Sequence, residues 1–109
     1  DGVGADNPVD AIEVFGPVAK VSTFATDDEA LARANGTEHG LAAGVYSDDL
    51  ARARRFADRL DHGQVFVNRY GQYDLAAPFG GFKGSGWGKE LGQASLDAYT
   101  RRKSIWLEL

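Results

Sequence analysis

Ala77-Pro78-Phe79-Gly80-Gly81-Phe82-Lys83-Gly84-Ser85-Gly86-Trp87-Gly88-Lys89-Glu90 sets five glycines within nine residues and places three large aromatics among them. Glycine reaches backbone angles closed to other residues and lets two chain segments lie in direct contact. A flexible linker carries little apolar side chain, so Phe79, Phe82 and Trp87 mark an ordered loop that packs on a neighbour. What that neighbour is decides the fold, and it need not belong to this chain.

Just before the loop, residues 64–68 (QVFVN) read as a strand. Upstream of that strand, Ser47-Asp48-Asp49 caps a helix in which Leu50, Ala53, Phe56, Ala57 and Leu60 share one face, and Asp61-His62-Gly63 ends it. Arg52, Arg54, Arg55 and Arg59 fall elsewhere on that helix and read as a solvated face rather than an anion site. Residues 40–46 (GLAAGVY) are small and apolar, a buried strand with little side-chain bulk. Thr26-Asp27-Asp28-Glu29 is a capping box, in which the hydroxyl and the carboxylate three residues later each cover a free N–H. The helix it opens stops at Asn35-Gly36.

Further out, residues 18–24 alternate as a strand does, after a tight corner at Glu13-Val14-Phe15-Gly16-Pro17. Residues 1–10 are small and polar, with a turn at Asn7-Pro8. Beyond the glycine loop, residues 89–102 read as a third helix weakened by Gly92, and residues 104–109 as a closing strand. That last strand is an exposed edge unless another segment or subunit pairs with it. Strands alternating with helices point to an open α/β arrangement.

The chain of 109 residues has a formal charge of −4 and 43% hydrophobic residues, ordinary for one soluble domain. Mild acidity argues against a nucleic-acid partner, and no apolar run approaches the ~20 residues of a membrane span. The opening Asp1-Gly2-Val3-Gly4, without Met, basic or apolar leader, gives the expectation of a fragment or processed product with no signal peptide. Without cysteine the chain contains no disulfide, thiolate ligand or thiol nucleophile. His39 and His62 stand apart with no partnering ligand pattern, so no metal site is expected.

The glycine loop fails both phosphate-binding tests. Counting back from Gly88-Lys89 puts Lys83 where a Walker A motif needs glycine, and Glu90 where it needs Ser or Thr. Gly84-x-Gly86 and Gly86-x-Gly88 are each followed by the wrong residue, Lys89 and Leu91, for the dinucleotide pattern. Glu13 offers a carboxylate that could accept two hydrogen bonds from a vicinal diol; taken alone it reads rather as an ordinary surface glutamate before a turn.

Taken together the blocks say more. Glu13-Val14-Phe15-Gly16-Pro17-Val18, then Asn35-Gly36-Thr37-x-x-Gly40-Leu41-Ala42-Ala43-Gly44-Val45, then Val67-Asn68, then Pro78-Phe79-Gly80-Gly81-Phe82-Lys83-x-Ser85-Gly86-x-Gly88-Lys89-Glu90-x-Gly92 resemble the C-terminal part of the NAD(P)-dependent aldehyde dehydrogenases. Order and spacing match from about Val9 to the ending Leu96-x-x-Tyr99-Thr100-x-x-Lys103-Ser104-Ile105. The fold so implied is a partial catalytic domain, α/β with an open sheet, over residues 1–103, and an oligomerisation strand over residues 104–109.

The resemblance implies roles position by position. Glu13 is similar to the glutamate that binds the nicotinamide ribose hydroxyls, and Phe15 to the aromatic on the nicotinamide side. Phe79 matches the aromatic lining the aldehyde pocket, and residues 70–75 the variable substrate loop. Glu90 corresponds to a proton-relay glutamate, and the backbone around Lys83 and Gly86 resembles a monovalent-cation site. The implied cofactor of the complete enzyme is NAD or NADP, with none for this chain alone. The implied partners are the rest of the polypeptide, a small aldehyde and further copies in a homo-oligomer, in the cytoplasm.

The nucleophilic cysteine, the general base, the oxyanion-hole asparagine and the dinucleotide-binding domain all lie upstream of what is present, so the chain alone is expected to be inactive. Lys89 stands where Arg is common, losing bidentate geometry. Arg101 stands where some members carry Glu, which removes an opposite-charge pair at the subunit contact. Two functions follow: a segment of an aldehyde-oxidising enzyme, or a free-standing oligomerisation or regulatory module derived from that family.

Overall fold

A computed structural model describes residues 7–109; the Asp1-Gly2-Val3-Gly4 opening lies outside them. In chain order the elements are α1 (Pro8–Ala11), α2 (Asp27–Asn35), β1 (His39–Gly40), β2 (Ala42–Val45), α3 (Leu50–Arg59), β3 (Gln64–Val67), β4 (Phe82–Lys83) and α4 (Ala94–Tyr99). The Asn7-Pro8 turn closes into the helical turn α1, where the Asn7 side chain accepts from the Val9 N–H and Pro8 takes a position that needs no donor.

The centre is a βαβ unit. β2 and β3 run parallel, in register from Ala42 opposite Gln64 to Val45 opposite Val67, with α3 as the crossover. Asn68 prolongs the pairing: its amide accepts from the Ser47 N–H at 2.8 Å and donates to the Ser47 carbonyl at 3.0 Å. Both expected caps are in place. Thr26 accepts from Glu29 N–H, the Glu29 carboxylate accepts from Ala25 N–H, and Asp49 accepts from Arg52 N–H. Asp27 takes Arg52 in a bidentate pair and Asp28 meets Arg59 at 3.0 Å, so some of the α3 arginines clamp α2 instead of facing open water. Asn35, at the end of α2, donates to Arg59 O and accepts from Asp61 N–H, both at 2.9 Å, tying the C-terminal ends of α2 and α3 together.

Two expectations are corrected. Residues 18–24 form no strand: no other described segment hydrogen-bonds alongside them. Residues 104–109, expected to pair with a second subunit, carry no strand partner among the described residues. The third helix shortens to Ala94–Tyr99: Leu91 and Gly92 have φ of 59° and 56°, left-handed values that no α-helix propagates. The cause lies in contacts with residues further back in the chain: Glu90 is bridged to Phe79 and Gly92 N–H donates to Leu75 O. No helix among the described residues is long and apolar enough to cross a membrane.

The buried apolar residues are Leu31 on α2, Ala53 on α3 and Phe66 on β3, a small core where the helices cover one face of the parallel pair. Elsewhere large apolar side chains stand in solvent, including Phe15, Val21, Trp87, Trp106 and Leu107. The chain exposes 9217 Å². A folded monomer of 11.7 kDa exposes about 5900 Å². Its radius of gyration, 18.7 Å, exceeds the roughly 13 Å of a compact chain of this length. The fold is an open α/β piece, not a closed domain.

Candidate functional site

The glycine loop packs on the βαβ unit so closely that no side chain fits between them. A Cβ built on Gly63, in the turn from α3 to β3, would lie 1.7 Å from the Gly80 carbonyl oxygen. Gln64 secures the contact by donating to Gly63 O and Pro78 O, both at 2.9 Å. On the other side, β4 runs antiparallel to β1, with His39 opposite Lys83 and Gly40 opposite Phe82. Gly84 N–H donates to Glu38 O at 2.9 Å and Gly40 N–H to Ser85 Oγ at 3.0 Å. The neighbour foreseen for the loop is thus the turn after α3 together with β1.

Within the loop, Phe79 and Glu90 exchange both backbone hydrogen bonds, at 2.7 and 2.6 Å. This bridge brings the two expected residues together and fixes where Phe79 projects. Its ring stands edge-on to Tyr73 at 5.0 Å, and Tyr73 in turn to Phe66 at 5.7 Å, with Tyr70 on the other side of Phe66. The aromatic chain anchors the segment from Tyr70 to Phe79 to the core. Phe79, Gly81, Ser85, Glu90 and Tyr99 line an open cleft of about 720 Å³.

Lys83 and Gly86 share one turn, in which Gly86 N–H donates to the Lys83 carbonyl at 3.2 Å and Ser85 N–H to Phe82 O at 3.1 Å. The Lys83 ammonium is a tie that sequence reasoning missed. It donates to Asn35 O and Thr37 O, each at 3.1 Å, and lies 3.7 Å from Asp61, joining β4 to the end of α2. Lys89 was missed in the same way: its ammonium donates to Gly81 O at 2.7 Å and sits 4.9 Å over the Phe82 ring. No motif marks either role, because both bonds end on backbone carbonyls. His62 lies beside Lys83; burial first, then the lysine charge, holds its imidazole below the ordinary range, with Asp61 pulling the other way. Its Nδ1 is buried with no partner among the described residues.

Glu13 and Phe15 do not line the cleft. They sit on the corner where Gly16 takes φ of 113° and Val18 N–H donates to Gly16 O at 2.8 Å. Phe15 is 88% exposed. The Glu13 carboxylate makes no hydrogen bond among the described residues; its Oε2 lies 3.8 Å from His39 Nε2. A carboxylate with no hydrogen bond among the described residues has lone pairs enough to accept two from a vicinal diol.

A family profile described as "Aldehyde dehydrogenase family" matches residues 1–105. Human cytosolic 10-formyltetrahydrofolate dehydrogenase is 52% identical over 98 residues, which cover 88% of this chain and 11% of that protein. Among solved structures, the NAD+ complex of an aldehyde dehydrogenase from Bacillus cereus superposes with a TM-score of 0.90 at 42% identity, covering 98% of this chain and 22% of that one. Betaine aldehyde dehydrogenase from Staphylococcus aureus in complex with NAD+ superposes with a TM-score of 0.79 at 45% identity, over 82% of this chain and 18% of that one. The chain therefore spans about a fifth or less of the length of each of these relatives.

Proposed function

The chain belongs to the aldehyde dehydrogenase family, and on that premise we propose that it is the C-terminal wall of a catalytic site completed by upstream polypeptide, in an enzyme that oxidises a small aldehyde to a carboxylic acid with NAD(P)+. The reaction balances as aldehyde, NAD(P)+ and water giving carboxylate, NAD(P)H and two protons. NAD(P)+ supplies the hydride acceptor. The thiol nucleophile, the base and the dinucleotide-binding domain come from the part of the enzyme this chain does not contain.

Each residue here has a share that suits its setting. Glu13 accepts hydrogen bonds from the two hydroxyls of the nicotinamide ribose, and the Phe15 ring packs at the nicotinamide side. Phe79 presents an apolar edge to the aldehyde, held by the Glu90 bridge and the Tyr73 ring. Glu90 leaves its carboxylate exposed for proton relay while its backbone is fixed. Residues 104–109 add a strand to a second subunit of a homo-oligomer.

The observation that carries the reading is the surplus of surface. The chain exposes about 3300 Å² more than a folded monomer of its mass, and obligate interfaces bury 2,000–5,000 Å². A chain that takes the shape it has within larger relatives, yet leaves that much surface open, is suited to docking against the remainder of such an enzyme. The test compares the 109-residue chain with the polypeptide extended upstream to the full family length. The extended protein is expected to reduce NAD+ or NADP+ in the presence of an aldehyde, and the short chain to give no more than a heat-killed control. Turnover by the short chain overturns the reading. So does an extended protein that folds and assembles but never forms NAD(P)H, which is the behaviour of a non-catalytic module.

A further inference from the structure

Among the described residues, Glu13 has one near charged or polar partner, and it comes from a different part of the fold. His39 stands on β1, inside the two-stranded β1–β4 ribbon that carries the glycine loop. Its backbone N–H donates to Thr37 Oγ1 at 3.1 Å, and the same hydroxyl lies 3.3 Å from the ring Nδ1. The hydroxyl already accepts from the backbone, so its own proton is free to go to Nδ1. In the tautomer in which the hydroxyl donates to Nδ1, the ring hydrogen is on Nε2, the atom 3.8 Å from Glu13 Oε2.

Of the other charges around His39, the Lys83 ammonium is engaged elsewhere. Lys83, directly opposite on β4, spends its ammonium on Asn35 O, Thr37 O and the Asp61 carboxylate. Glu38, next along the chain, meets the loop through its backbone carbonyl, which accepts from Gly84 N–H. The imidazole is thus oriented by Thr37 and pointed at one carboxylate.

We propose that His39 is a positioning residue for Glu13, holding that carboxylate toward the cofactor ribose from the rigid β1–β4 ribbon. The inference rests on the reading of Glu13 given above. At 3.8 Å the attraction is electrostatic, and it lies between partly exposed groups, so its effect is modest. It acts on cofactor binding alone, because His39 does not line the cleft beside Phe79.

The experiment uses the complete enzyme and four variants: His39→Phe, His39→Gln, Glu13→Gln and the double variant His39→Phe/Glu13→Gln. KM for NAD+, KM for the aldehyde, kcat and the thermal midpoint are measured for each. His39→Phe is expected to raise KM for NAD+ about threefold, the size typical of an exposed pair, with a smaller change in kcat. His39→Gln, which keeps an N–H donor, restores most of the loss. Glu13→Gln raises KM for NAD+ further, and adding His39→Phe to it costs nothing more. If Glu13→Gln weakens NAD+ binding but His39→Phe does not, the His39 proposal is overturned while the role of Glu13 stands. If neither changes it, the underlying assignment of Glu13 fails as well. Equal effects of His39→Phe with and without Glu13, or a loss shared by the aldehyde KM and the thermal midpoint, overturn the proposal by showing that His39 acts through something else.

Discussion

Gly63→Ala tests whether the βαβ unit really sets the position of the glycine loop. The added Cβ would lie 1.7 Å from Gly80 O, 2.8 Å from Gly80 C and 3.1 Å from Gly81 Cα. Real Cβ atoms essentially never approach within 3.0 Å, so the loop must retreat by at least the difference, 3.0 − 1.7 = 1.3 Å. Nothing can swing aside, because every opposing atom is backbone. Moreover, the loop is pinned on both sides of the clash, at Pro78 O by Gln64 and at Gly81 O by Lys89. Forced overpacking of this kind costs about 1–3 kcal/mol. Phe79 lies one residue from the clash, and a misplacement of about 1 Å costs roughly 10²-fold in rate. In the complete enzyme, Gly63→Ala is therefore expected to lower kcat/KM for the aldehyde by about that factor and to lower the thermal midpoint. Gly88→Ala is the contrast for stability: a Cβ there meets nothing within 4 Å in this chain, so the thermal midpoint should not move. A Gly63→Ala enzyme with wild-type kcat/KM and wild-type melting would refute the idea that this contact places Phe79.

Asn35→Ala removes the bonds to Arg59 O and Asp61 N–H, and at about 1 kcal/mol each the loss should be about 1–2 kcal/mol, read as a lower urea midpoint with an unchanged slope; an unshifted midpoint would show that water replaces the amide without cost. The acid limb of stability reports the α2 carboxylates. Hydrogen bonding to Arg52 first, and then its charge, hold Asp27 below its ordinary value of 3.8, while the Ala25 N–H and then Arg33 do the same for Glu29, whose ordinary value is 4.5. Folded-state values depressed in this way give stability that is fully present above the unfolded values and is lost as pH falls through the folded ones. Asp27→Asn should flatten the fall of the thermal midpoint below about pH 4; an acid limb as steep as wild type would remove Asp27 from that account.

The parts of this fold that sequence made legible are those whose causes are local. Thr26 with Glu29, and Asp49 with Arg52, are caps that need no distant partner, and the parallel strands around α3 carry their own apolar pattern. Alternation over residues 18–24 is necessary for a strand but not sufficient, because a strand exists only beside another edge. Gly92 signalled weakness in the third helix, yet the left-handed Leu91 before it depends on the Phe79–Glu90 bridge, which spacing alone does not show. Within the site, the resemblance to the aldehyde dehydrogenases singled out Glu13 and Phe79 but not what supports them. His39, Lys83 and Lys89 act through Thr37, Asn35 and Gly81, and contacts of that kind leave no motif.

The two halves of the proposed site are held very differently, and that difference bears on how it would assemble. Phe79 and Glu90 are fixed by a two-bond bridge, an aromatic stack and a glycine contact too tight for a methyl group. Residues 12–25 carry no helix or strand, and their cross-fold tie among the described polar contacts is the exposed meeting of Glu13 with His39. On the proposed reading the aldehyde side is organised within this chain, whereas the corner bearing Glu13 and Phe15 would gain most of its order from the upstream polypeptide. Ordering a residue's backbone costs about 1–2 kcal/mol, an expense the docking surface must offset before cofactor binds. A cofactor that binds across that junction would stabilise it in turn, since a ligand bound only by the assembled state shifts the equilibrium toward assembly.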